Sequence, residues 1–342
     1  MVSSMQEDIK KKNERYHKRK RRFLFIWFFI LSIFLSTITY AWFSSNRISD
    51  LQFFDIYIET DGGLEISENA IDWKTELTVD ELKMAYKTYP SSLNQIPGIM
   101  KPVSSGGGID GNGYLNVFHG QADSNGTTEY YLTTYRKIEE RTTELSNEGD
   151  FIAFDVFFKT SLPKPLYLSS ESYVKPKEGD SLGIENSARV AFIYEGNTSI
   201  ESGITTAQTM KNSNDNNVII WEPNYDVHTE HGVSNARNVY GITTTRTNAS
   251  VLQYDGVIGT VTNTAKVNIK DANASNYPDL FKKVKVDIYT KSAYDTNNFL
   301  INLEPGITKM RVYMWLEGQD VDSENKASQG DISYKIQFTL NP

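Results

Sequence analysis

Residues 10–43 constrain this chain more than any other stretch. Nine Lys/Arg side chains, from Lys10 to Arg22, crowd a short N-terminal tail. Then Phe23 to Phe43 (FLFIWFFILSIFLSTITYAWF) runs 21 residues without a charge, a glycine or a proline. As a helix rising 1.5 Å per residue, such a segment spans roughly 30 Å, the thickness of a bilayer's hydrocarbon core. Lys and Arg beside a membrane segment are retained on the cytoplasmic side. The pattern therefore predicts a basic cytoplasmic tail over 1–22, a transmembrane helix or uncleaved signal anchor over 23–43, and an extracellular part over 44–342. Trp27, Tyr40, Trp42 and Phe43 offer aromatic rings near the ends of the segment. The competing expectation is a signal peptide cut after Ala41, with Thr39 and Ala41 at the −3 and −1 positions and secretion as the outcome. The length of the apolar run and of the basic leader favours the anchor.

Charge divides along the same boundary. The tail holds nine basic residues against Glu7, Asp8 and Glu14, a net +6, while residues 44–342 hold 26 Lys/Arg against 40 Asp/Glu, a net −14. An acidic outer part repels phosphate backbones, which argues against nucleic acid as a partner. The basic tail suits anionic headgroups, so the bilayer is the first partner expected, through Phe23 to Phe43. Cysteine is absent. Thiol catalysis is therefore excluded, and the outer part must be held by its core, without disulfides. A cysteine-free exported chain fits a Gram-positive cell surface better than a eukaryotic secretory pathway. The four N-x-S/T sequons, at Asn125, Asn197, Asn248 and Asn273, then carry no glycosylation meaning.

The outer part reads as β throughout. Leu51 to Ile58, Phe151 to Lys159, Ala188 to Tyr194, Val218 to Trp221, Val257 to Ile269, Val284 to Tyr289, Lys309 to Leu316 and Ile332 to Leu340 are rich in β-branched and aromatic residues. Ile332, Tyr334, Ile336, Phe338 and Leu340 alternate cleanly with polar neighbours, as do Val284, Val286 and Ile288. Many short strands separated by turn residues predict an all-β fold, an antiparallel β-sandwich with loop insertions and one or two short helices. One helix is announced by the capping box Thr78-Val79-Asp80-Glu81, with Pro90 as its stop. A further helical turn is expected at Tyr277 to Phe281 and an exposed insertion at Thr205 to Asn217. No Pro-rich or Gly/Ser-rich linker divides residues 44–342, so one domain is expected.

Motifs that would mark chemistry are sparse. Gly106 to Gly111 matches GxGxxG, but no strand precedes it and no helix follows, so a hairpin loop is expected in place of a nucleotide site. His228 and His231 are three apart in a loop after Pro223, which is not the helical spacing of a zinc protease. No G-x-S-x-G elbow appears. A paired-carboxylate hydrolase remains an open class, since any two acids can meet in space. Oxygen-rich clusters at Asp110 and Asn112, and at Glu317, Asp320, Asp322 and Glu324, are the candidate Ca²⁺ ligands; a solvated acidic loop is the competing account. Apart from that calcium, no cofactor is expected. Trp73, Trp221 and Trp315 offer either stacking surfaces for sugars or core packing.

Thr39-Tyr40-Ala41-Trp42-Phe43-Ser44, closing the apolar segment, resembles the end of the export segment in the TasA and camelysin group of Firmicutes. Ile48 to Ile58 then resembles the amphipathic strand that follows there, and Ile332 to Leu340 is similar to a late strand of that group. The resemblance implies a jelly-roll-like sandwich displayed or secreted at the cell surface, in a family that includes biofilm-matrix fibre subunits assembled by strand exchange. The longer basic tail, the larger outer domain and the lack of a Gly-rich export segment depart from that pattern. Arg311 to Asp322 (RVYMWLEGQDVD) is similar to a signature of uncharacterised Firmicutes surface proteins. The expected function is thus non-enzymatic: a membrane-anchored surface or matrix protein acting through protein contacts, mostly monomeric, with self-assembly as a minority outcome. The alternatives are a wall-polymer or carbohydrate-binding module and an unmarked extracellular hydrolase.

Overall fold

A computed structural model describes residues 55–60, 63–124, 130–139, 148–177, 181–212, 214, 217–232, 234, 266–268, 286–290, 298–318, 320, 322–323 and 330–342. All of them fall in one compact unit, Ser44–Pro342. The basic tail, the apolar segment Phe23 to Phe43, the helical turn expected at 277–281 and Glu324 lie outside the described residues. Among the described residues no helix is long and apolar enough to cross a membrane.

The fold is mostly β, as the alternation predicts. Its strands are β1 (Asp55–Thr60), β2 (Glu65–Ser67), β3 (Glu76–Leu77), β4 (Ile99–Met100), β5 (Val117–Ser124), β6 (Tyr130–Lys137), β7 (Glu148–Gly149), β8 (Ile152–Thr160), β9 (Lys164–Leu168), β10 (Tyr173–Pro176), β11 (Ala188–Thr198), β12 (Val218–Glu222), β13 (Lys266–Asn268), β14 (Ile288–Tyr289), β15 (Phe299–Leu303), β16 (Gly306–Leu316) and β17 (Ile332–Thr339). Helix α1 (Val79–Met84) starts where its capping box places it. The Thr78 side chain accepts from the Glu81 N–H and the Glu81 carboxylate accepts from the Thr78 N–H.

Two six-stranded sheets carry the architecture, ordered β15-β9-β17-β1-β3, with β10 also on β17, and β14-β12-β11-β16-β8-β2. Ile332, Tyr334, Ile336 and Phe338 turn one face of β17 into an apolar cluster shared with Phe154, Val156 and Phe158 of β8, Val190 and Phe192 of β11, and Met310, Val312 and Met314 of β16. Phe338 meets Phe158 edge-on, with ring centroids 5.0 Å apart.

The second sheet is covered on its other face as well, and all 11 residues of β16 are buried. There Ala153, Ala191, Ile193, Tyr313 and Trp315 pack under Val103, Ile109, Leu115 and Val117. A strand buried on both faces needs no polar alternation, which is why FIAFDVFFK reads as a nearly unbroken apolar run.

Three features correct, refine or decide between the sequence-based expectations. The pairing is mixed: β1 runs parallel to β17, β12 to β14 and β4 to β7. Parallel neighbours need long connections, and almost the whole unit separates β1 from β17. Second, residues 205–209 are not a plain loop, although Thr205, Thr206 and Thr209 are exposed as expected. They form most of helix α2 (Ile204–Thr209), whose Ala207 packs with Phe157 and Ile307 and whose Gln208 donates to the Asn69 carbonyl. Third, Trp221 and Trp315 are fully buried, so neither can stack on a sugar. Trp73 is half-buried, with the Lys159 ammonium 4.6 Å above its ring.

The glycine run 106–111 does form a loop that turns back on itself. Ile109 bridges Leu115 in antiparallel sense, the Asn116 N–H donates to the Gly108 carbonyl, and no helix follows to cradle a phosphate.

Candidate functional site

Charged side chains lie inside the doubly covered sheet, in two clusters. The first is centred on β8 and β16. The Asp155 carboxylate accepts from Arg311 Nη1 at 2.8 Å and from the Tyr89 hydroxyl at 2.8 Å, with Lys309 Nζ 3.3 Å away. Register explains the meeting, since Asp155 sits directly opposite Arg311. Lys309 also donates to the carbonyls of Gln208 and Met210 at the C-terminal end of α2, where such groups lack partners within the helix. Arg311 reaches Glu139 through Nε at 3.2 Å.

Burial alone would raise the Asp155 carboxyl, but the Lys309 and Arg311 charges outweigh it and hold it down at about 2. Burial pushes Glu195 up to about 7 against the Asn212 N–H that it accepts. Two cations, two firmly placed carboxylates and a third poised to carry a proton make a balanced internal brace. Each oxygen of Asp155 is already engaged, while Glu139 Oε2 and Glu195 Oε1 are buried without a hydrogen-bond partner.

The second cluster occupies the end of the same sheet, where β11 begins and β12 and β16 finish. Arg189 Nη2 lies 2.7 Å from Glu222 and 2.8 Å from Asp320. Trp315 and Ser105 donate to Glu317 through Nε1 and the backbone N–H. Asp320 Oδ1 accepts the Asp322 N–H at 2.9 Å, and Asp322 Oδ1 accepts the N–H and the hydroxyl of Thr229. Asp322 Oδ2 accepts from Asn186 and lies 2.8 Å from His228 Nδ1.

Gly183 lets the 3₁₀ turn Ile184–Ser187 approach this close. Its φ is +96°, and a Cβ there would stand 2.5 Å from Thr229 Cγ2. Burial pushes Glu222 up to about 7, opposed by Arg189. Burial also pulls His228 down, but the hydrogen bond to Asp322 and the charges of Asp320, Asp322 and Glu222 prevail and raise it.

The candidate calcium residues therefore meet different fates. The Asp110 carboxylate is taken by Arg136 at 2.6 Å and by the N–H groups of Asn112 and Tyr114, and Asn112 is exposed at the turn. Glu317 is held by Trp315 and Ser105. Asp320 and Asp322 do converge, and their third companion is His228: one ligand atom from each of the three lies within 4.8 Å of the others. Sequence reasoning set His228 beside His231 and so missed this grouping, because the contact spans 94 residues of chain. The one available signal was a histidine in a loop closely following a strand, at the same sheet end as an acidic turn. No protein-family model, curated protein or solved structure matches this chain.

Proposed function

We propose that the chain is a single-pass membrane protein, N-terminus inside, whose β-rich outer domain acts at the cell surface through protein–protein contacts. Phe23 to Phe43 is the anchor on this reading, and the outer domain is a jelly-roll-like sandwich similar in style to the TasA and camelysin group. The observation that carries the reading is the state of the interior. Where an enzyme keeps polar groups free for substrate, Asp155, Lys309 and Arg311 are spent on bracing one sheet. The buried Trp221 and Trp315 likewise leave protein contact better supported than sugar stacking. Exposed apolar side chains such as Tyr57, Ile138, Leu162 and Ile200 remain for contacts with other surface proteins.

Because the chain has no cysteine, single cysteines test the topology cleanly. Leu162→Cys is expected to react with a membrane-impermeant maleimide on intact cells, and Ser3→Cys only after lysis. Photo-crosslinking from position 138 or 200 is then expected to capture other surface proteins. Labelling of Ser3→Cys on intact cells, or a mature chain beginning at Trp42, would sink the anchored reading.

A further inference from the structure

We propose that helix α2 and the turn after it, residues 204–210, form a pH-sensitive flap, latched onto the second sheet while Glu195 carries a proton and released when Glu195 ionises. The flap is lightly packed. Ile204, Thr205, Thr206 and Thr209 are exposed, Ala207 is buried and Met210 only partly so. Two of its backbone bonds, from the Ala207 N–H to Gly203 and from the Met210 N–H to Ala207, are 3.4 Å long. Little apolar burial and exposed helical bonds mark a segment that opens locally. Gly203, with φ +87° and open space where a Cβ would stand, supplies the hinge.

Polar latches hold the flap down. Lys309 Nζ donates to the Gln208 and Met210 carbonyls at 3.0 and 3.1 Å and to the Tyr89 hydroxyl at 3.0 Å, which spends the three hydrogens of the ammonium. Gln208 Nε2 donates to the Asn69 carbonyl at 2.7 Å. Just beyond the flap, Asn212 is pinned to β11 by its N–H on Glu195 Oε2 and its amide on the Tyr194 carbonyl.

Glu195 is placed to compete for Lys309. It is the extra residue of a bulge in β11, between Tyr194 opposite Met310 and Gly196 opposite Lys309. It is buried, and its Oε1 has no hydrogen-bond partner. The charges acting on it are Lys309 and Arg311 of β16 and Asp155 of β8, with the Tyr89 hydroxyl also within their reach. Lys211 engages the Asn112 carbonyl, and Glu139 is paired with Arg311. Arg311 is committed to Asp155, Glu139 and the Leu93 carbonyl, which leaves Lys309 as the donor that an ionised Oε1 draws on. An N–H that turns to Glu195 leaves the Gln208 or the Met210 carbonyl, so latch and switch share the same hydrogens. Burial raises Glu195 to about 7, against the Asn212 N–H and the Lys309 charge. Closure therefore has its full support below the ordinary 4.5 and loses it as pH climbs through about 7. The flap is separate from the proposed surface role and stands or falls without it.

The test is hydrogen exchange of the full chain in mild detergent at pH 6 and pH 8, corrected for intrinsic rates. Peptides covering 204–210 are expected to lose protection roughly tenfold at pH 8 relative to peptides covering 310–316 of β16. Glu195→Gln can still accept the Asn212 N–H but cannot ionise, so in that chain the difference between the two pH values should vanish. Ala207→Cys, in a chain that keeps Glu195, gives a second readout: its maleimide labelling, taken relative to Thr205→Cys at the same pH, should rise at pH 8. Equal flap protection at both pH values, a change that Glu195→Gln shares, a loss that the β16 peptides match, or labelling of Ala207→Cys that does not rise overturns the inference.

Discussion

Replacing Asp155 with Asn would test whether the buried brace holds the outer domain together. The substitution keeps the size of the side chain and removes its charge. Asp155 is 1 % exposed and faces three donors, Arg311, Tyr89 and Lys309. An asparagine can offer its oxygen to one side only, so its amide must confront a donor on the other. The carboxyl is held at about 2 against an ordinary 3.8. That shift is worth on the order of 2 kcal/mol in favour of the ionised form after its desolvation has been counted. Truncating one member of a buried pair costs about 3–5 kcal/mol when the partner is left uncompensated. Glu195 offsets part of this, because losing the Asp155 charge lets it ionise more readily. A net loss of about 3 kcal/mol follows from these opposing effects. The assay is urea unfolding of residues 44–342 at pH 6. Lys309→Met should also destabilise, and the double variant should lose at least about 1 kcal/mol less than the sum of the singles, since the pair is coupled. A loss under about 1 kcal/mol for Asp155→Asn, or strict additivity with Lys309→Met, would refute the brace.

Glu195 makes stability depend on pH in the opposite sense to a salt-bridged acid. Its carboxyl is raised to about 7 in the folded chain, from an ordinary 4.5. The folded state therefore keeps a proton that the unfolded state releases, and stability falls as pH climbs from about 4.5 to about 7. Glu195→Gln should gain up to about 3 kcal/mol over wild type at pH 8 and flatten that slope, with Glu222 supplying what remains; an unchanged slope in unfolding free energy between pH 5 and 8 would contradict it. Removing β1 is the third perturbation. A chain starting at Asp61 loses Ile58 from the core and uncovers the six residues of β17 that β1 pairs. It should melt lower or aggregate relative to one starting at Ser44, by about 2–3 kcal/mol from Ile58 alone; equal midpoints would show that β1 is dispensable.

What the sequence disclosed followed physical range. Alternation in Ile332 to Leu340 and the capping bonds around Thr78 are local, so β17 and α1 emerge close to where the pattern puts them. Val284 to Tyr289 was only partly recovered, with Ile288 and Tyr289 in a strand and residues 284 and 285 outside the described residues. Lys164 to Leu168 was not anticipated, because Pro165 interrupts the run; its strand pairs β15 and the end of β17. Parallel pairing of β1 with β17 depends on the path of the whole unit, which no short window contains. The same holds for both charge clusters. Arg311 and Lys309 look like the polar face of an ordinary strand until a second apolar layer and α2 are laid over them. Asp320 and Asp322 stood out as acids, but Arg189 and His228 meet them only through tertiary contact.

The placing of β1 beside β17 has a mechanical consequence. Both strands run the same way, paired from Asp55 and Ser333 to Thr60 and Phe338. A membrane anchor would pull on the Asp55 end, and a partner gripping the C-terminus would pull beyond Thr339, at the opposite end of the pair. Tension applied this way slides the two strands along each other, so the backbone hydrogen bonds between them share the load and must yield together. Antiparallel neighbours pulled at adjacent ends would open one bond at a time, like a zip. A domain stretched between a bilayer and its neighbours would thus resist the pull at the strand nearest the anchor, and break cooperatively when it breaks.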